Sequence, residues 1–127
     1  MVVNRPMKPL LTKCFKTFLQ RFDNFKDAQI RSLEVISASN ITLTLETQDS
    51  ARAYDWITLT LVFEGVSDAK LLEESKFSFI DTCEGISLFH EESNIVFCIG
   101  SYHDIHVAKN AILFVIAKSL KYQEGQF

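Results

Sequence analysis

The sequence predicts an α+β fold, an N-terminal amphipathic helix packed on a mainly antiparallel sheet of about six or seven strands. Three observations carry that expectation. Residues 56 to 63, Trp-Ile-Thr-Leu-Thr-Leu-Val-Phe, are a run of β-branched and large apolar side chains, the composition of a strand. Leu10, Leu11, Cys14, Phe15, Phe18, Leu19 and Phe22 recur at steps of one, three and four, the spacing of one helical stripe. Both prolines fall before residue 10, which leaves the rest of the chain free of breaks in a ladder.

The elements follow in chain order. Residues 8 to 22 are expected as helix, with Pro9 in the first turn, where its missing N–H needs no partner, and Lys13, Lys16, Gln20 and Arg21 on the wet face. A β-rich body over residues 28 to 122 comes next. Ile30, Leu33, Val35 and Ile36 suggest a strand with a bulge. Ser37 to Asn40 is a turn by composition, and Ile41 to Glu46 alternates with Ile and Leu inward, Thr and Glu outward. Gln48 to Arg52 reads as a polar loop before a long strand from Tyr54 to Phe63. That strand should bury Ile57, Leu59, Leu61 and Phe63 and turn Trp56, Thr58, Thr60 and Val62 to a wet side.

Ala69 to Glu74 reads as loop or a single helical turn, and Lys76 to Ile80 as a further strand. Ile86 to His90 and Ile95 to Ile99 form a hairpin around Glu91, Glu92, Ser93 and Asn94. Ala111 to Tyr122 fits both an alternating pattern and a helical stripe through Ile112, Leu113, Ile116, Ala117 and Leu120; its Ile, Val and Phe content favours strand.

A chain of 127 residues supports one core, so residues 1–127 are expected to be a single domain. Its 47% apolar and 23% charged residues are ordinary for a globular protein and exclude a disordered, low-complexity chain. Apolar runs are far shorter than a membrane-spanning helix requires, and residues 1 to 22 lack an export pattern. The expectation is a cytoplasmic protein without membrane contact. Three cysteines without C-x-x-C spacing read as reduced thiols.

Few residues suggest chemistry. His103 and His106 share a face only on a helix and would need a third ligand such as His90 or Cys98, so no metal is expected. A nucleophilic set drawn from Cys83 or Ser78 with His90 and Asp81 lacks a nucleophile elbow. Glu73-Glu74 and Glu91-Glu92 are neighbouring, solvated carboxylates. Gly65, Gly85, Gly100 and Gly125 are single turn glycines rather than a phosphate-cradling loop. No catalytic residue and no cofactor is therefore assigned, and an enzyme is the less favoured class. Residues 1 to 26 carry a charge of +5 and residues 27 to 127 a charge of −8; an acidic body repels nucleic acid and attracts basic partners. Tyr54, Asp55 and Trp56 with Arg52 combine the residue types of binding hot spots, next to the acids Glu64, Asp68, Glu73 and Glu74. Trp56 either packs beneath the helix or stands exposed, and in the second case these eight residues are the candidate protein-binding surface.

Phe25-Lys26-Asp27-Ala28-Gln29-Ile30, followed by a hairpin, a strand closing on Phe63-Glu64-Gly65-Val66 and then Phe79-Ile80-Asp81, resembles small bacterial β-rich proteins with an F-H-D-A-x-I opening, over residues 25 to 100. Lys26 stands where that pattern has His. Several such proteins are similar to immunity proteins that protect a cell from toxins, and the resemblance implies no cofactor and no catalytic set. The expected function is a non-catalytic protein-binding domain, an immunity protein that meets a basic toxin through an acidic, aromatic face. The alternatives are a homo-oligomeric scaffold, such as a homodimer joined across Val62 and Trp56, and a small-ligand binder or enzyme with a pocket between helix and sheet.

Overall fold

The computed structural model describes residues 7–80 and 82–125. Two antiparallel sheets face each other across the core, so the fold is mixed but largely β and the α+β expectation holds in outline only. The first sheet has five strands, β1 (Lys8–Pro9), β2 (Gln29–Ser37), β3 (Asn40–Asp49), β4 (Asp55–Glu64) and β9 (Ser119–Gly125), in the order β1-β9-β4-β3-β2. The second has four, β5 (Asp68–Lys70), β6 (Ile86–Glu91), β7 (Asn94–Ile99) and β8 (Phe114–Ala117), in the order β5-β8-β7-β6. Alternation in β4 buries Ile57, Leu59, Leu61 and Phe63 as its sequence dictates. Phe63 meets Phe97 of β7 edge to face, with ring centroids 5.2 Å apart, and so joins the two layers.

The opening segment departs from the expected helix over residues 8 to 22. Lys8 and Pro9 pair with β9, a 3₁₀ turn covers Thr12–Cys14, and the α-helix α1 is confined to Phe15–Arg21. Pro9 is thus an edge-strand proline, where a missing donor is harmless, and Leu11 and Cys14 are exposed. The rest of the stripe acts as predicted. Phe15, Phe18 and Phe22 are buried, and Phe18 touches Phe22, Phe25 and Tyr122 at centroid separations of 5.0, 5.8 and 5.0 Å. Each such ring removes roughly 150 to 250 Å² from water, so a helix of two turns suffices to close one end of the space between the sheets.

Four further differences follow, the first from a short apolar run that fits two spacings. The expected strand Lys76 to Ile80 is part of a 3₁₀ segment, Glu74–Phe79, in which Lys76 N donates to Glu73 O at 2.9 Å. Phe77 and Ile80 both pack on the core, at a spacing of three that one helical turn satisfies. Asp68–Lys70, expected in or beside a loop, pairs with β8. The C-terminal run is extended, as expected, but it breaks at Lys118 into β8 and β9, which belong to different sheets; Lys118 N donates to Glu64 O at 3.0 Å across that crossing. A single wet-sided sheet also gives way to two, and the second is covered on both faces. Val96, Cys98, Phe114 and Ile116 form a separate buried cluster with Ala108 and Ala111, beneath a short helix α2 (Ile105–Ala108).

The single bulge expected in β2 is matched by two register shifts, between Ile30 and Ser32 and between Val35 and Ser37, a common device on an edge strand. Glu46 faces outward as expected yet is buried, because Arg31 lies over it in a salt bridge. Thr47, opposite Ile57, is also buried, and its hydroxyl has no hydrogen-bond partner among the described residues. Thr47→Val keeps the shape and removes the unsatisfied group. It is expected to stabilise the fold by about 1 kcal/mol, read from the urea midpoint; a destabilised variant would show that the hydroxyl is satisfied.

Candidate functional site

The turn between β3 and β4 positions the exposed aromatic residues. Asp49, the last residue of β3, is wholly buried, and its carboxylate accepts hydrogen bonds from Arg21 Nε at 2.8 Å, Arg21 Nη2 at 2.7 Å and Ala51 N at 2.9 Å. Arg52 Nε lies 3.4 Å from the same carboxylate, and Glu124 of β9 pairs with both arginines. Ser50 Oγ donates to the Arg21 carbonyl at 2.7 Å. The hydrogen bond from Arg21 holds the Asp49 carboxyl below the usual carboxylate range, against the opposing effect of burial. This cluster ties α1, the turn and β9 together. Ala53 and Tyr54 then take left-handed backbone conformations, with φ of 55° and 66°, and Tyr54 N returns to Asp49 O at 2.9 Å.

That geometry presents two rings to solvent. Tyr54 is 62% exposed and Trp56 36% exposed. Trp56 lies on the outer face of β4, opposite Gln48, on the side away from the core rather than under the helix. Gln48 Nε2 reaches the Tyr54 carbonyl at 3.3 Å, and Asp55 is exposed between the rings. Arg52 is only half-exposed and engaged with Asp49 and Glu124.

The acidic candidates lie elsewhere. Glu64 ends β4, about 30 Å from Asp55 at the rise of an extended strand, and is 3.1 Å from Lys121 Nζ. Asp68 belongs to the second sheet and is 3.5 Å from Lys109 Nζ. Glu73 precedes the 3₁₀ segment and is exposed, while the side chain of Glu74 lies outside the described residues. The eight candidates therefore form an aromatic group at one end of β4 and acidic residues towards the other. Sequence spacing could not separate them, since it does not reveal strand length or which lysines arrive from β9 and from the end of α2.

The histidines and thiols are placed apart. His90, His103 and His106 are all exposed, and among the described residues no group of three His, Cys, Asp or Glu could hold a metal ion. Asp104, beside His103, caps α2 by accepting from His106 N at 2.7 Å and Val107 N at 3.3 Å. An Asp opening an apolar turn was the available signal for that helix. Cys83 precedes β6 and His90 lies near its other end; Asp81 and the Ser78 side chain lie outside the described residues. Burial pushes the Cys98 thiol up to about 11, partly offset by a hydrogen bond with Ser87, so this sulfur is a core atom rather than a nucleophile.

Two shallow clefts flank Tyr102, of about 230 and 240 Å³. Glu84 lines both; His103 borders the first and Cys83 the second. The main chain at Tyr102 is tied to β6. Ser87 Oγ donates to Gly100 O at 2.6 Å and accepts from Tyr102 N at 2.9 Å, and a Cβ at Gly100, where φ is 112°, would come within 2.8 Å of the Tyr102 ring. No sequence motif marked this cleft, because its walls come from the α1–β2 connection, β6 and the segment after β7.

Among the described residues, no helix is long and apolar enough to cross a membrane. No protein-family model, curated protein or solved structure matches this chain.

Proposed function

We propose that the chain is a non-catalytic protein-binding domain, whose contact surface is the Tyr54–Asp55–Trp56 end of β4 and whose partner is a basic protein. The observation that supports this reading is the pair of exposed rings on a turn fixed by four charged groups from three elements. Rigid aromatic area with polar ends binds strongly for its size, because little conformational freedom is lost on contact. Asp55 and the charge of −8 over residues 27 to 127 favour a cationic surface on the other side. The resemblance of residues 25 to 100 to immunity-like proteins makes a basic toxin the first partner to test, with binding in the cytoplasm.

Affinity capture with the intact chain, followed by mass spectrometry, tests the reading against Trp56→Ala and Tyr54→Ala. A basic partner is expected whose affinity falls roughly 30-fold with either change, as for residues that dominate an interface, and which weakens as salt rises. A partner held equally well by the wild type and both variants would overturn the assignment of this surface. Native mass spectrometry showing a dimer lost in Trp56→Ala would instead support a second copy of the chain across Trp56 and Val62.

A further inference from the structure

We infer that the cleft beside Tyr102 is an acceptor for one arginine side chain of a protein partner. This site is distinct from the Tyr54–Trp56 surface, and its argument does not rest on that surface. The lining combines apolar Ile86 and Leu88, the aromatic Tyr102, and the polar Glu84, Asn24 and His103. A long side chain with an apolar stem and a flat cationic head matches that combination of surfaces. The stem covers Ile86 and Leu88, and the guanidinium stacks on the phenol ring while donating to the Glu84 carboxylate.

Size, charge and rigidity support the same occupant. At about 230 Å³ the cleft is smaller than the roughly 300 to 1,000 Å³ of pockets that enclose whole ligands, so it suits one projecting side chain. Residues 77 to 108 contain five acidic residues and all three histidines but no lysine or arginine. Among the described residues no salt bridge neutralises Glu84, Glu91, Glu92 or Asp104. The opposite wall, Leu19 and Asn24, belongs to the basic opening segment, so the attraction for a cation rests on Glu84, the one carboxylate residue in the lining. Its walls are hydrogen-bonded in advance, through Gly100 N to Gly85 O at 3.0 Å and Gly85 N to Thr82 O at 2.7 Å. A Cβ at Gly85, where φ is 83°, would collide with the Asn24 carbonyl oxygen, so glycine there lets the two walls approach.

The experiment follows backbone amide shifts of the full chain during titration with acetyl-Gly-Gly-Arg-Gly-Gly-amide and with its citrulline analogue, which keeps the shape and lacks the charge. Saturable shifts are expected at Asn24, Ser87, Ser101 and Tyr102 with the arginine peptide. Binding should be about tenfold weaker with citrulline, and about tenfold weaker for arginine in Glu84→Gln, as for loss of one charge-assisted hydrogen bond. Glu84 is exposed, so that variant keeps its fold, and Trp56→Ala should bind the peptide as the wild type does. Equal binding of arginine and citrulline, no loss in Glu84→Gln, no saturable shift at these amides, or shifts confined to Tyr54 and Trp56 would each overturn the inference; the last would leave the β4 surface standing.

Discussion

Phe63→Ala is expected to destabilise the fold by about 4 kcal/mol, within the roughly 3 to 5 kcal/mol that buried Phe-to-Ala changes cost. Phe63 is fully buried at the centre of the larger apolar cluster, on β4, and its ring meets Phe97 of the facing sheet. Truncation removes apolar surface from the core and also leaves a void between two sheets that hydrogen-bonded ladders prevent from closing. Set against the 5 to 15 kcal/mol that typically holds a domain together, such a loss brings the chain near its unfolding threshold. Val62, the preceding residue, points to the outer face and is half-buried. Val62→Ala should cost less than about 1 kcal/mol. Urea unfolding of both variants checks the contrast, and equal midpoints would mean that the two layers do not bear on each other at Phe63.

Arg21→Ala is expected to cost about 3 kcal/mol, the low end for breaking a buried ion pair. The loss arises mainly from Asp49, wholly buried in the wild-type fold, which keeps Arg52 at 3.4 Å and the Ala51 N–H at 2.9 Å to hold its charge. The guanidinium also packs 4.8 Å from the Phe22 ring centroid. In a background already carrying Asp49→Asn the same change should cost much less, because no orphaned carboxylate remains; a double-mutant cycle measures that difference.

Acid stability gives an independent check. The hydrogen bond from Arg21 depresses the Asp49 carboxyl in the folded state. Folded protein then binds this proton less readily than unfolded chain does, so the contribution is fully present above the unfolded value of about 3.9. It is lost as pH falls from there through the lower folded value. Asp49→Asn should therefore flatten the stability curve below about pH 4, and an unchanged acid limb would show that Asp49 is not depressed.

Much of the first sheet was legible in the residues. Period-two alternation in β3 and β4 fixes which side chains enter the core, since successive residues point to opposite faces. The hairpin β6–β7 could be read from apolar runs on either side of the polar turn Glu91 to Asn94, although β7 does not alternate and is buried on both faces. Short segments were not legible: Lys76 to Ile80 alternates and also meets the spacing of a 3₁₀ turn, and only packing of Phe77 and Ile80 chose between them. At the candidate site, the residue types of Tyr54 and Trp56 were visible, but their exposure depended on Asp49, Arg21 and Glu124, which lie 28 and 75 positions apart from Asp49. The Tyr102 cleft left no pattern, because no single stretch of chain contains its walls.

The sequence by itself determined the strand-rich character, the buried face of β4 and the aromatic lining of the opening helix, because each follows from the local spacing of apolar side chains. Tertiary structure decided that the strands divide into two sheets, that Lys118 is the point of division, and which acids are neutralised by lysines. Those outcomes depend on contacts between distant residues, whose energies local periodicity does not encode.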